Sequence, residues 1–461
     1  EITPDRWDVN LGFDHGQPTP WRVSTKLGAM ITDFEFDWKK HKIPPKQIAA
    51  ADPLQFMLLD AVDQALQDAG YQDLSFDRSR TGVIVGTVFG DEFSQHLEMG
   101  IHLPRFQHDL ERSLKQRGVA EDAITSVCEQ FEEILLNHMP ALIDETGSFT
   151  ASTLASRITK TYDFMGGAVA IDAGEASSLA ALSSSLDLLR AGDCDLIICA
   201  AGHRSLGFVQ YESYFRDGDL AGAVARAPFD AENSGRVPGE GVGVVILKRL
   251  SDAQRDGDRI HGIVHGVAAS CHESPGQSVR SAIERCDSID GVDLSQVSLI
   301  ETGSSGTPHL DREEITAIAG AYSDRRNAPP LQLGTISGQL GDTSGAAGLL
   351  AILKAIDEMD RLEITPNVNL HSPAEYLSEQ SHVLQLPTSR GTLPVTTDDG
   401  IVLSAVSCLS HYHLAYHAII ERPTKVHVAE APPTPSPTTT TATPVLDSDH
   451  DWRIVRLGAE T

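Results

Sequence analysis

Two histidines near the end of the last apolar stretch are close enough in the sequence to bind one metal ion together. His411 and His413 flank Tyr412, and neighbouring imidazoles are common ligands of transition metals. Histidines in such an arrangement more often fill space or form hydrogen bonds at a surface. No histidine stands at ligand spacing beside the acidic residues considered below, so the pattern predicts no metal site.

The cysteines offer no second chemistry. The six of them, at positions 128, 194, 199, 271, 286 and 408, form no CxxC pair and show no regular spacing. Cys194 and Cys199 lie in an apolar stretch and are predicted to be core residues. This usage is typical of a reduced compartment, so we expect a cytoplasmic protein without disulfides.

The charge balance excludes some classes of partner. Asp and Glu number 65 against 36 Lys and Arg, which gives a formal net charge of -29. Such a chain is not expected to bind nucleic acid or an anionic membrane through general electrostatics. A local cluster of four lysines, at 39, 40, 42 and 46, could still bind an acidic protein, although a solvated loop explains it equally. No apolar run reaches the length of a membrane span.

The elements that would position a site alternate between strand and helix. Continuous apolar runs at 82–86, 196–201 and 241–247 predict strands buried on both faces. Amphipathic segments at 53–69, 176–191 and 345–359 predict helices. The chain, at 461 residues, is too long for one ordinary core. We therefore expect an α/β architecture with two core-forming halves or two domains.

Two segments stand apart from this pattern. Residues 91–150 are predicted to form a helical excursion, with apolar positions at Phe106, Leu110 and Leu114 and again at Val127, Phe131 and Leu135. The excursion could pack on its own domain or serve as a surface for a second protomer. Residues 424–445 are rich in proline and threonine and predict a linker. Residues 446–461, with a strand-like run at 452–457, predict the start of a following region.

Several motifs in order resemble the type I β-ketoacyl synthases, and the match covers nearly everything up to Pro423. They are DPLQ at 52–55, ALQDAGY at 65–71, RTGVIVGT at 80–87, PFD at 228–230 and GEG at 239–241. The resemblance implies a thiolase-like fold in which two βαβαβαββ halves, 1–250 and 251–423, form a five-layer α-β-α-β-α sandwich. Members of the family usually dimerise through strands. Residues 454–461 are similar to the linker that precedes an acyltransferase domain.

The same resemblance implies that the family's catalytic residues are absent. The family attacks a thioester with the Cys of DTACSSSL and stabilises an enolate with the His of EAHGTGT and the Lys and His of VKSNIGH. The positions that correspond here are Glu175 in DAGEASSL, Gly303 in ETGSSGT, and Ser337 and Asp342 in ISGQLGD. A carboxylate is a poor acyl acceptor from a thioester, because the mixed anhydride is higher in energy.

The two acids carry expectations of their own. Glu175 should follow a strand ending near Asp172 and begin a helix, whose N-terminal N–H groups would stabilise its charge. Glu175 and Asp342 are expected to face each other, where repulsion would favour a proton on one of them. A carboxylate pair is also a general acid/base arrangement, but nothing else in the sequence assembles around it.

The late glycine-rich segment of the family has become bulky. Its pattern GFGGTNAH appears as SHYHLAYH at 410–417. His411, Tyr412 and His413 are therefore predicted, with Glu175, to line or fill the substrate tunnel.

The resemblance leaves three functions open. The first is a chain-length-factor-like partner that dimerises with an active ketosynthase, or with itself, and shapes chain elongation. The second is a non-elongating domain that binds acyl carrier protein, for which the lysine cluster could serve. The third is a malonyl decarboxylase of the loading type, which would need the missing histidines. In each case the implied partners are an acyl carrier protein, with its phosphopantetheine, and a neighbouring acyltransferase domain, and no cofactor or metal is expected on this chain.

Overall fold

The computed structural model describes residues 2–423 with short gaps at 4–5, 14–22, 24, 50, 73–75, 89–91, 139–149, 205–206, 291, 326–327 and 398–399. The predicted linker 424–445 and the region 446–461 lie outside the described residues. The helices are α1 Val9–Gly12, α2 Trp38–His41, α3 Pro45–Ala49, α4 Pro53–Asp68, α5 Glu92–Gln116, α6 Glu121–His138, α7 Ser152–Tyr162, α8 Ser177–Ala191, α9 Phe208–Asp217, α10 Leu250–Asp256, α11 Pro275–Asp290, α12 Pro308–Ala321, α13 Ser337–Leu340, α14 Ala347–Arg361 and α15 Glu375–Glu379.

The strands are β1 Thr81–Gly86, β2 Ala168–Ile171, β3 Leu196–His203, β4 Gly241–Lys248, β5 Ile263–Cys271, β6 Val297–Thr302, β7 Leu331–Thr335, β8 Glu363–Ile364, β9 Leu384–Gln385, β10 Gly391–Thr392, β11 Leu403–Leu409 and β12 Leu414–Glu421. They form a four-stranded sheet of order β2-β1-β3-β4, a six-stranded sheet of order β5-β12-β11-β6-β7-β9, and the small pair β10-β8. In the first sheet β1 runs parallel to β2 and β3, and β4 is antiparallel to β3.

The first sheet is covered on both faces because its apolar side chains alternate along each strand. Val83 and Val85 of β1 point to the face that α4 and α7 cover, whereas Ile84 points to α8. The neighbouring strand β3 repeats the alternation, with Ile198 on the outer face and Ile197 on the inner one. These faces bury two separate layers of side chains.

Helices α8 and α14 lie between the two sheets. Leu179 and Leu182 of α8 share one buried cluster with Leu349 and Ile352 of α14 and with Val406 of β11. The far face of the six-stranded sheet is covered by α11 and α12. The expected five-layer α-β-α-β-α sandwich is therefore confirmed, in the order α4/α7, first sheet, α8/α14, second sheet, α11/α12.

The longest predicted elements agree with the structure to within a few residues. The apolar runs became β1, β3 and β4, and the predicted helices became α4, α8 and α14. Within the excursion 91–150 the described part is a pair of helices, α5 and α6, whose main contacts are with each other. Over the described residues, no helix has both the length and the apolar character needed to cross a bilayer.

Candidate functional site

Glu175 is held in the tight turn that joins β2 to α8. The Ser177 hydroxyl accepts a hydrogen bond from the Ala173 N–H at 2.8 Å and donates one to the Gly174 carbonyl at 2.6 Å. Gly174 adopts a φ of 61°, a left-handed conformation that glycine takes at little cost. The turn directs Glu175 inward, where its side chain is buried. The predicted strand–Glu175–helix order is confirmed.

Asp342 reaches the same place from the second half of the chain. It follows α13, and its N–H donates to the Val237 carbonyl at 2.7 Å. Gly341 before it has a φ of 71°, and a Cβ there would lie 2.6 Å from the Val237 oxygen. The Asp342 Oδ1 atom accepts from the Ser344 N–H at 2.9 Å. Asp342 is buried as well, so two acids from opposite halves meet in the interior.

A buried arginine joins the two acids. Nη1 of Arg236 donates to Glu175 Oε1 at 2.7 Å and to Asp342 Oδ2 at 3.1 Å. Nε of Arg236 donates to the Thr307 hydroxyl at 2.9 Å, and the guanidinium carbon lies 4.9 Å from the centre of the Tyr214 ring. Only 2% of Arg236 is exposed, so the ion network is shielded from water.

The arginine settles how the two acids coexist. Burial on its own raises the pKa of Glu175, but the guanidinium of Arg236 and the N–H of His411 outweigh it and lower that pKa. Burial raises the pKa of Asp342, and repulsion from Glu175 adds to it, although Arg236 opposes both. The directions support the expected asymmetry, in which Glu175 is the ionised acid and Asp342 holds a proton more readily.

The donors to Glu175 differ from those expected. Its carboxylate was predicted to draw on the N-terminal N–H groups of α8. The hydrogen bonds to its side chain come instead from Arg236, from the His411 N–H at 3.0 Å and from the backbone N–H of Glu175 itself. A side chain two residues before the first helical residue can turn away from the helix axis, and the guanidinium offers a full charge where the helix end offers a partial one.

Gly303, at the family's histidine position, leaves no free space for a side chain. A Cβ at Gly303 would lie 2.6 Å from the sulfur of Cys408. Cys408 is itself buried, and burial raises the pKa of its thiol well above the ordinary value. The thiol therefore stays protonated at neutral pH, and in that state it is a poor nucleophile.

Ser337, at the lysine position, supplies no charge. Its hydroxyl is buried and has no hydrogen-bond partner among the described residues, while its N–H donates to Thr335 Oγ1 at 3.2 Å. Lys354 of α14 is committed to Glu301, whose Oε1 atom lies 2.6 Å from the Lys354 Nζ atom. The described site thus contains one cation, Arg236, and it is already paired.

The three predicted tunnel residues of the segment 410–417 differ in their position relative to the site. His411 contributes its backbone N–H to Glu175, and its Nδ1 atom lies 3.5 Å from Asp219 Oδ2. Tyr412 does not fill the pocket as predicted, because it occupies the turn between β11 and β12 and 81% of it is exposed. His413 is half-buried in the same turn at a φ of 63°. His411 alone of the three touches the site.

Sequence reasoning missed Arg236, together with Thr307 and Tyr214, which contact it. Arg236 lies between the PFD and GEG motifs, in a stretch that carried no expectation. Charge balance was the available signal, because two buried acids in one pocket require a cation. No group of three or more His, Cys, Asp or Glu in the described ranges is arranged to hold a metal ion.

Comparison with known proteins agrees with this architecture. Residues 1–253 match the family model of the β-ketoacyl synthase N-terminal domain, and residues 260–371 match that of the C-terminal domain. One component of the polyunsaturated fatty acid synthase of Thraustochytrium sp. is 26% identical over 444 residues, which is 93% of this chain and 15% of the relative. One component of the phenolphthiocerol/phthiocerol polyketide synthase of Mycobacterium tuberculosis is 30% identical over 433 residues, 91% of this chain and 25% of the relative.

Solved structures show the same fold. The oxazolomycin ketosynthase domain OzmH KS7 of Streptomyces albus JA3453 superposes with a TM-score of 0.74 at 23% identity, covering 95% of this chain and 70% of that one. The ketosynthase from module 6 of the Bacillus subtilis bacillaene synthase gives 0.74 at 23% identity, over 92% and 66% of the two chains. This likeness shows the thiolase-like fold. With both halves of its sandwich matched to the two family models, the chain belongs to the β-ketoacyl synthase family.

Proposed function

We propose that this domain is a ketosynthase-fold partner in fatty-acid or polyketide elongation that performs no condensation itself and acts in the manner of a chain-length factor. The observation that carries the proposal is the buried Arg236–Glu175–Asp342 network. The motif resemblance predicts the family's thiol at position 175 and its imidazole at position 342, and the network fills both positions with groups that are already paired with each other. The chain spans 15% to 25% of the length of the two synthase components it matches, so other domains would supply the chemistry.

The network also fits a phosphopantetheine-borne thioester poorly. Acyl transfer needs a thiolate, whereas Glu175 is an acid held by Arg236 and Cys408 is a buried, protonated thiol. The carboxylate of a malonyl group would meet two acids whose only described cation is taken, which disfavours the decarboxylase alternative. We therefore propose that this domain performs neither acyl transfer nor decarboxylation.

A free sheet edge supports the proposed partnership. β2 is the outer strand of the first sheet and pairs only with β1 in the described chain. Val169 in this strand is 46% exposed, and Met165 just before it is 70% exposed. An exposed apolar edge strand is suited to pairing with a strand of another protein. We infer that an active ketosynthase domain pairs there, and that the exposed lysines of residues 39–46 offer a docking surface to an acidic carrier protein.

The test has two parts. The purified chain is incubated with acyl- and malonyl-carrier protein and analysed by mass spectrometry, with an active ketosynthase as the control. We expect no acyl adduct on the wild-type chain. We also expect neither decarboxylation nor condensed product, even after Glu175→Cys, because Gly303, Ser337 and Asp342 stand at the predicted positions of the family's enolate donors. An adduct on the wild-type chain would refute the proposal.

The second part measures the product chain length of a synthase reconstituted with wild-type chain, Val169→Lys, or the control Val209→Lys, which is 52% exposed on α9. We expect Val169→Lys to disturb co-purification with the ketosynthase and the product distribution, and Val209→Lys to leave both unchanged. Unaltered products in the absence of the chain would contradict a role in chain length.

A further inference from the structure

The helical hairpin of α5 and α6 has an apolar face that no large contact of the described chain covers. Gln107 Nε2 of α5 donates to Glu132 Oε2 of α6 at 2.9 Å. The large apolar side chains that are buried or half-buried in the two helices include Leu103, Leu110 and Leu114 of α5 and Ile124, Phe131 and Leu135 of α6. The hairpin makes its main contacts within itself. Two helices alone bury too little surface to be stable in water, so the hairpin requires a cover.

The uncovered residues form one continuous stripe. Met99 and Phe106 lie seven residues apart on α5, and Val127 and Ile134 lie seven residues apart on α6, which is two helical turns in each case. Viewed along its own helix, each pair is displaced in the same rotational direction from the side that faces the other helix of the hairpin. Because the helices run antiparallel, the two pairs fall on the same side of the hairpin. Phe106 is 42% exposed and Ile134 is 55% exposed.

One pair of opposite charges fits a second hairpin of the same kind as the cover. α6 carries five acids and no Lys or Arg. The second half of α5 carries Asp109 and Glu111 beside its three basic residues. Arg112 pairs there with Asp109, and Lys115 pairs with Glu111, so Arg105 is the basic residue of this half without a described ion pair. The Gln107–Glu132 hydrogen bond places Arg105 and Glu133 at the same level on the outer sides of their helices. A two-fold axis parallel to the helices lays α5 of one copy over α6 of the other, and then Arg105 faces Glu133 of the second copy twice.

The size of the contact is adequate for a reversible dimer. α6 has 18 residues, so the face is about 27 Å long and about 20 Å wide for two helices. Two such faces bury roughly 1,000 Å² in total, at the low end of specific interfaces. We propose that α5 and α6 of two copies of this chain associate into an antiparallel four-helix bundle. This inference does not depend on the proposed function, because it concerns a different surface from the β2 edge.

Sedimentation velocity of the whole chain over a range of concentrations tests the association. We expect a concentration-dependent dimer for the wild type, and monomers for Phe106→Glu and Ile134→Glu. Ile101→Glu is the matched control, since Ile101 is 65% exposed but lies off the stripe, and it should remain dimeric. A monomeric wild type, dimeric stripe variants, or a control that dissociates equally would each overturn the inference. Val169→Lys distinguishes a dimer formed through β2, which that variant alone would abolish.

A charge exchange tests the arrangement without touching the apolar stripe. Arg105→Glu alone sets two acids against each other twice, and Glu133→Arg alone sets two arginines against each other twice. Both should therefore associate less than the wild type. An equimolar mixture restores both opposite-charge pairs and should dimerise at wild-type concentrations. Failure of the mixture to dimerise, with both variants folded by circular dichroism, would overturn the two-fold arrangement.

Discussion

Arg236 compensates the charges of two carboxylates at once, so its loss should destabilise the protein more than the loss of either carboxylate. Replacing Arg236 with Met leaves Glu175 and Asp342 buried without a cation, and breaking a buried pair in this way costs about 3–5 kcal/mol. Glu175→Gln keeps Asp342 as the partner of the guanidinium and should cost less, about 1.5–3 kcal/mol, similar to one charge-assisted hydrogen bond.

Urea unfolding measures both changes. Arg226→Met is the control in the same loop, because Arg226 is partly exposed and pairs with Glu232 near the surface. If Glu175→Gln destabilises the protein as much as Arg236→Met, the acids do not share the arginine as described.

The side chain of Cys408 occupies the space next to Gly303, so substitutions at these two positions should be energetically coupled. Gly303→Ala places a Cβ 2.6 Å from the Cys408 sulfur and should destabilise the fold by about 1–3 kcal/mol. In a Cys408→Ala background the sulfur is gone, so the same substitution should cost clearly less. A double-mutant cycle on unfolding free energies gives the coupling. Gly86→Ala serves as the control, since its Cβ would meet the backbone of Ser177, which Cys408→Ala cannot relieve.

At the scale of elements, a glycine fixes how β6 and β7 pack under α14. Gly334 stands opposite Glu301 in the parallel register, and a Cβ there would overlap the Glu301 carboxylate. Gly334→Ala should push Glu301 away from Lys354 and cost about 3–5 kcal/mol in unfolding free energy. Gly391→Ala in β10 meets nothing within 4 Å and should be close to neutral. Equal stability of the two variants would disprove the packing argument.

Elements with long apolar runs could be predicted from the sequence, and short ones could not. β1, β3 and β4 are continuous runs of Val, Ile and Ala, so burial on both faces shows directly in composition. β8, β9 and β10 have two residues each, too few to show a period. Glu175 and Asp342 could be foreseen through motif positions. Arg236 could not be foreseen, because its partners come from distant parts of the chain. The prediction that Tyr412 fills the tunnel was wrong, because the tip of a turn can place a bulky ring in solvent.

At the scale of the whole molecule, buried acids make stability depend on pH. Burial raises the pKa of Glu314 from 4.5 to about 7, and that of Glu301 likewise to about 7. Between about pH 4.5 and about pH 7, the folded chain holds protons on these two carboxyl groups that the unfolded chain has released. The stabilisation is therefore complete below about pH 4.5 and is lost as the pH rises through 7, by up to about 1.4 kcal/mol per pH unit for each group.

Comparing a variant with the wild type at each pH isolates the contribution of one carboxyl group. Other buried groups also titrate. Burial lowers the pKa of His417 to about 3, so His417 changes the stability in the opposite sense below its ordinary pKa. Glu314→Gln should gain stability relative to the wild type as the pH rises from about 5 to about 8, measured by urea unfolding. Glu313→Gln, on the exposed side of the same helix, should show no such trend. A difference between Glu314→Gln and wild type that is constant with pH would show that Glu314 does not titrate in this range.

The three-way ion contact in the interior also constrains how this sequence can change over time. Exchanging Arg236 for a neutral residue leaves two acids without a cation out of reach of water, and exchanging Glu175 or Asp342 removes one of the two carboxylates that the guanidinium binds. Placing a thiol at position 175 and an imidazole at position 342 would require removing the arginine as well, and position 303 would remain blocked by Cys408. Each single step passes through a less stable protein. The pocket can therefore vary in its surface residues, whereas the three buried charged residues can change only together.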